Sequence, residues 1–301
     1  MKVVGIVLAV GIIATEGSGW SFTSPINYSS LVSSAKIMLS TDAAMIRLLV
    51  SVGGLLFFLF LELSIPYRSS SVSKFKRWAN NISLSIFNSI ILRLFLAAPI
   101  LQTTFYVSRN QLGVLNLMTL PYWTKMIVTV VFLDFMLYVW HLLNHEVPFL
   151  WRFHRVHHSD LNMDVSTANR FHIGELAMSA VIKIGLIFFL GADLLGVMVY
   201  EILVVATAQF HHSSLKVPSW FEDIYWVLFV PPSMHRIHHS VVIKERNTNY
   251  GTILSVWDRL LGTLLRGIDQ KRIRIGVGAY NRPEKLHLHH LLVMPLTHPV
   301  R

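Results

Sequence analysis

Two copies of one histidine spacing constrain this chain more than anything else in it. His154-Arg-Val-His157-His158 and His235-Arg-Ile-His238-His239 both read H-x-x-H-H, and His141-Leu-Leu-Asn-His145 lies just upstream of the first. With 15 histidines in 301 residues, an H-x-x-H-H should arise by chance roughly 0.04 times. It arises twice. On a helix, positions i, i+3 and i+4 share a face, so the spacing predicts that each cluster faces one way. Stacked imidazoles on one face make a metal ligand set.

The surroundings of those clusters follow from composition. At 53% hydrophobic and 14% charged residues the chain is too apolar for an ordinary soluble domain, and a bilayer is the expected solvent. There is no cysteine, which excludes disulfides, thiolate ligands and a cysteine nucleophile, so nitrogen and oxygen must hold any metal. The formal charge of +10 raises nucleic acid as a partner. However, the Lys and Arg residues flank apolar runs instead of forming one basic stripe. They mark cytoplasmic loops near anionic lipid, and no nucleic-acid partner is expected.

In chain order, Met1 to Ala14 is an apolar run after Lys2 without a clear cleavage box, read as an uncleaved membrane segment. Residues 1–42 form this segment and a Ser-rich connecting loop. Ala43 to Ile65 and Ile82 to Val107 are each long enough to span ~30 Å of hydrocarbon, within a transmembrane region 43–122. The loop between them carries Arg68, Lys74, Lys76 and Arg77, whereas Ser108 to Pro121 carries Arg109 alone. The bias puts the first loop in the cytoplasm and the second outside. A third span, Trp123 to Leu143, then runs inward and delivers His141 and His145 to the cytoplasmic face.

Glu175 to Leu190 and Tyr200 to Phe210 form a hairpin that returns His211 and His212 to the first cluster. Lys183 and Asp193 argue that it is short or re-entrant, because charge is costly in lipid. Phe221, Ile224, Tyr225, Leu228 and Phe229 recur at helical spacing, as in a helix lying in the interface. A catalytic domain is expected over 123–265 and a tail over 266–301. The fold expected is an all-α, multi-span transmembrane helix bundle with a cytoplasmic-facing helical cap carrying a histidine-rich di-metal site.

Eight histidines exceed what one ion needs, so two metals sharing a pocket are the simpler account of His141, His145, His154, His157, His158, His235, His238 and His239. A ninth ligand should come from the hairpin's return, where His212 is preferred to His211. Asp134 shares a helical face with Tyr138, His141 and His145, and an ionisable side chain inside a span is a functional candidate. The expectation is a hydrogen bond from Asp134 to a ligand imidazole. His172 and Glu175 read as cap or interfacial groups, and His287, His289, His290 and His298 as outside the centre. No Walker loop, G-x-G-x-x-G, G-x-S-x-G or H-E-x-x-H is present. An all-imidazole pocket suits a redox metal and oxygen chemistry more than hydrolysis. The alternative from another class is a transition-metal transporter, which needs ligands along a path through the bilayer and commonly inverted repeats; these ligands gather at one face.

The order of the clusters after membrane spans resembles the fatty acid hydroxylase and sterol desaturase superfamily of integral-membrane di-iron oxygenases. Trp151-Arg-Phe-His-Arg-Val-His-His-Ser159, Thr167-Ala-Asn-Arg-Phe-His172 with Glu175, Met234-His-Arg-Ile-His-His-Ser240, Asn249-Tyr-Gly251 and Trp257-Asp-Arg-Leu-Leu-Gly-Thr263 are similar to that family's domain across 125–265. His212 stands where many bacterial members have a His followed by a small residue and Asn, and here Ser214 replaces the Asn. The resemblance implies two iron ions held by these imidazoles and O2 as co-substrate. It further implies electrons from an external reductase or donor protein, and a lipid substrate (fatty acyl, sterol or related) hydroxylated or desaturated at an unactivated C–H bond. The chain shows no flavin, haem or iron–sulfur motif of its own.

Overall fold

The computed structural model describes residues 45–298 apart from Arg47; the apolar segment expected within 1–42 lies outside them. Among the described residues the chain is all-helical, with three isolated β-bridges. Helix α1 (Gly54–Ser64) follows one π turn, Leu49–Gly53. Helices α2 (Lys74–Phe95) and α3 (Ala97–Arg109) form a bent pair, angled by 48° at Leu96. Pro99 explains the break, since it has no N–H and its ring crowds the carbonyl four residues back, that of Phe95.

Helix α4 (Tyr122–Glu146) is the longest element at 25 residues. It ends because Val147 precedes a proline and is driven to extended backbone, φ −89° and ψ 114°. Pro148 then opens α5 (Pro148–His158) at a first-turn position that needs no N–H donor. This Val-Pro corner turns the histidines of α4 toward those of α5. Helices α6 (Ile173–Leu190) and α7 (Leu194–His212) follow. The short helices α8 (Ser219–Tyr225) and α9 (Pro232–His238) close the site end, with Pro231-Pro232 starting α9.

Three helices, α4, α6 and α7, are long and apolar enough to cross a membrane, and a fourth span is made if the bent pair α2–α3 counts as one. The chain is an integral membrane protein. Large apolar side chains such as Ile90, Leu94, Trp123, Ile127 and Phe189 are exposed along these helices, as lipid-facing residues must be. One expectation needs correction. The α6–α7 hairpin is not short: its arms of 18 and 19 residues reach about 27 Å each. Its charged side chains are partnered in place, Lys183 pairing with Glu201 at 3.1 Å and Asp193 capping α7 by accepting the Gly196 N–H at 2.8 Å. The expected Ala43–Ile65 span lies partly outside the described residues, and its described part includes the apolar stretch Leu49–Ser64.

The hairpin bend is fixed by a backbone contact. Gly113 and Gly191 both have left-handed φ, +89° and +80°, and a Cβ on Gly113 would lie 2.2 Å from the Gly191 nitrogen. The loop after α3 and the hairpin bend therefore meet at one end of the bundle, and the histidines lie at the other. There, Arg77 of α2 donates to Asp160 at 2.5 and 2.7 Å and to Asp164 at 2.7 Å. Burial alone would raise the Asp160 carboxyl, but the guanidiniums of Arg77 and Arg170 outweigh it and hold it well below the usual carboxylate range. Arg170 in turn donates to the Val156 carbonyl at 2.9 Å, Asn81 Oδ1 at 2.7 Å and Ser159 Oγ at 2.9 Å. This network ties α2 to the end of α5. The chain after 266 packs on the same body: Leu286, Leu291 and Met294 bury against Leu84 and Val156, and Arg155 of α5 holds the carbonyls of Met294, Thr297 and His298.

Candidate metal centre

The nine histidines singled out in the sequence come together in two buried groups. His141, His145, His154, His158 and His238 form the first, and His157, His212, His235 and His239 the second, with ring nitrogens within 4.8 Å of one another in each. The groups adjoin, the rings of His158 and His239 stacking at 4.4 Å. His211 lies outside both, against His235 at 4.1 Å. His287, His289 and His290 also lie outside them.

Each H-x-x-H-H is divided between the groups, which corrects the expectation that each cluster faces one way. His154 and His158 serve the first and His157 the second; His235 and His239 serve the second and His238 the first. The reason is angular. At about 100° per residue, i and i+4 are about 40° apart on a helix, whereas i+3 sits about 60° to the other side of i. The i,i+4 pair and the i+3 ring flank a stripe, and two such helices facing each other exchange their i+3 rings.

Four rings have an assignable proton. The Nδ1–H groups of His141, His238 and His212 donate to the carbonyls of Tyr250 (2.7 Å), Thr248 (2.8 Å) and Ala208 (2.7 Å), and that of His154 to Glu175 Oε1 at 2.8 Å. Those oxygens only accept, so in each neutral ring Nε2 carries a bare lone pair. The lone pairs converge. His212 Nε2 lies 3.1 Å from His157 Nε2 and 2.9 Å from His235 Nε2, and His235 Nε2 lies 3.1 Å from His239 Nε2. In the first group His154 Nε2 and His158 Nε2 are 3.2 Å apart.

Nitrogens bound at ~2.0–2.1 Å to one tetrahedral ion sit about 3.3 Å apart, close to these spacings. His141 Nε2 and His238 Nε2 agree, both buried with no hydrogen-bond partner among the described residues. Burial first, and neighbouring imidazoles second, push His157, His158, His235, His238 and His239 well below the ordinary histidine pKa. Neutral rings with unmatched lone pairs fit transition-metal ions.

The supports behind these rings were only partly anticipated. Glu175, read as a helix-entry group, is buried and holds His154. Its signal was an acid in the first turn of an apolar helix, beside the histidine clusters. His172 caps α6, its Nδ1 accepting the Gly174 N–H at 2.9 Å. Asp134 does not reach an imidazole. It lies seven residues before His141, about 10 Å along the helix. Its carboxylate accepts from the Ile253 and Leu254 N–H groups at 3.1 Å each and from Trp257 Nε1 at 2.8 Å. Asp134 therefore anchors the loop whose Tyr250 carbonyl holds His141. Apolar rings wall the centre: Phe171 stacks on His157 at 4.3 Å, and Tyr250 and Trp151 lie 5.2 and 5.1 Å from His145.

Fold and site together define a class: an all-helical integral membrane protein whose buried imidazoles form two adjoining groups that could each hold a metal ion. Residues 126–263, which contain all nine histidines, match the family described as Fatty acid hydroxylase. Similar curated proteins include an ornithine lipid hydroxylase of Rhizobium tropici, 35% identical over 143 residues, 46% of this chain and 41% of the relative. A cholesterol 25-hydroxylase of Rattus norvegicus is 26% identical over 51% of each chain. An alkylglycerol monooxygenase of Homo sapiens is 25% identical over 52% of this chain and 35% of its own. The matched region thus spans about half or less of these relatives. No solved structure gives a significant match.

Proposed function

We propose that the chain is a membrane-bound lipid hydroxylase that uses O2, two iron ions held by the nine histidines, and electrons from a separate donor protein. The observation that carries this reading is the convergence of unmatched imidazole lone pairs from four parts of the chain at one end of a membrane bundle. His141, His145, His154, His158 and His238 would hold one ion, and His157, His212, His235 and His239 the other, with residues 123–265 as the catalytic domain. When bound, the irons supply the activation of O2 that an unactivated C–H bond requires.

The protein's own part is to orient the rings and exclude water. Glu175 and the carbonyls of Tyr250, Thr248 and Ala208 hold four of them, and Phe171, Tyr250 and Trp151 keep the surroundings apolar. A substrate reaching this end of the bundle comes from the bilayer, so a lipid with a long apolar portion, fatty acyl, sterol or related, is the class proposed. The similar proteins are named as hydroxylases and monooxygenases, which favours hydroxylation over desaturation. We assign the centre to the cytoplasmic side, because Arg68 in the loop at the histidine end and Lys74 and Lys76 in the first turn of α2 outnumber Arg109 and Lys125, which flank the opposite loop.

The test is incubation of purified, iron-loaded protein with a reductant, O2 and a total lipid extract, followed by mass spectrometry. Lipids heavier by one oxygen are expected, and their loss in His154→Ala and His238→Ala. Metal flux into vesicles without oxidised lipid would instead identify a transporter.

A further inference from the structure

The motif Asn249-Tyr-Gly251 lies between the second H-x-x-H-H and the loop that Asp134 anchors. The carbonyls on either side of Asn249 are both taken by imidazoles of the first group: Thr248 O by His238 at 2.8 Å and Tyr250 O by His141 at 2.7 Å. Those rings come from elements about a hundred residues apart, yet their centroids are 4.5 Å from each other. In extended chain, carbonyls two residues apart run parallel at about 6.6 Å. Convergence requires the chain to curl between them.

Asn249 supplies the curl. Its φ is +58°, in the left-handed region that non-glycine residues seldom adopt and asparagine tolerates best. It is fully buried, and every hydrogen-bonding group it uses is directed at neighbouring backbone. Nδ2 donates to the carbonyls of Met234 at 3.2 Å and Leu265 at 3.0 Å, Oδ1 accepts from the Leu265 N–H at 2.8 Å, and its own N–H donates to the Thr263 carbonyl at 3.0 Å. Asp258 completes the clamp by accepting from the Tyr250 and Gly251 N–H groups at 2.7 Å each. Gly251 is required there, since a Cβ would lie 2.8 Å from Asp258 Oδ2 and 2.7 Å from the Leu254 carbonyl.

We propose that Asn249 is a positioning residue for the first histidine group: its left-handed backbone turns two carbonyls onto His238 and His141 together and so aims both Nε2 lone pairs inward. This rests on reading that group as a metal site. One residue thereby couples the orientation of an imidazole on α4 to one on α9.

The test compares Asn249→Gly with Asn249→Ala in the full chain. Both delete the side-chain hydrogen bonds, but glycine keeps left-handed backbone at no steric cost and alanine does not, so the difference isolates the backbone. Metal-free protein in detergent is titrated anaerobically with Co(II), read by its visible absorption and by elemental analysis, with helix content followed by circular dichroism. Wild type is expected to take up two ions. The alanine variant should keep one of them and bind the other roughly tenfold or more weakly, the scale on which orienting partners act, and the glycine variant should lie between it and wild type. An alanine variant that titrates like wild type overturns the proposal, as do equal losses in both variants or equal weakening of both ions. A wild type that binds no Co(II) overturns the reading of the centre itself.

Discussion

Replacing Glu175 by alanine should weaken the first metal site without unfolding the protein. The carboxylate accepts the His154 Nδ1–H at 2.8 Å, and the two side chains are 5% and 3% exposed, so solvent screens the contact little. A hydrogen bond to a charged acceptor contributes about 1.5–3 kcal/mol, which corresponds to roughly 10- to 150-fold in affinity at about 1.4 kcal/mol per decade. The range overlaps the 10- to 100-fold typical of partners behind a metal ligand. Glu175→Gln retains an acceptor oxygen but loses the charge, so it should fall between wild type and alanine.

The assay is competitive titration of metal against a chelator in detergent, with both sites resolved. Repeating it on His154→Ala closes the cycle: once the imidazole is gone, Glu175→Ala should cost no further affinity. An additional loss in that background, or weakening of both sites alike, would refute the assignment of Glu175 to His154.

Asp134→Ala should lower thermal stability by about 3 kcal/mol or more, because two backbone N–H groups and an indole lose their acceptor in a buried loop; a change under about 0.5 kcal/mol in detergent unfolding contradicts the anchoring role. Arg77→Ala strands Asp160 and Asp164 and should destabilise by about 3–5 kcal/mol, while Arg77→Met with Asp160→Asn recovers part of it, read by the same unfolding curves. Acid should destabilise the metal-free protein. Histidines of the unfolded chain take up protons near their ordinary value of about 6.5, whereas burial holds the folded values of His157, His158, His235, His238 and His239 well below it. The unfolded state therefore binds more protons, and this stabilisation, complete above about pH 6.5, is lost as pH falls toward the folded values. Melting temperatures that stay flat or rise from pH 8 to pH 5 would contradict that sign.

The helical class and the histidine membership were legible in the sequence because both are periodic signals. An apolar run has a length, and H-x-x-H-H has a spacing. What periodicity does not carry is where the i+3 ring goes, since that depends on a second helix facing the first. Asp134 was misplaced for a related reason: sharing a helical face with His141 says nothing about a loop from 253–257 that arrives from elsewhere. The length of the α6–α7 hairpin was underestimated because Lys183 was judged without Glu201, eighteen residues on, and a paired charge costs less in a bundle than a lone one. Glu175 was visible as a residue but not as a partner, because the contact to His154 crosses a helix boundary and the turn at 165–169.

Helices α5 and α9 each belong to both histidine groups, so neither group can be adjusted by itself. Rolling either helix a few degrees about its axis would carry an i,i+4 pair and an i+3 ring in step, drawing one ring of donors inward while opening its neighbour. Were each group to hold an ion, the backbone of these two helices would set how far apart the ions stand.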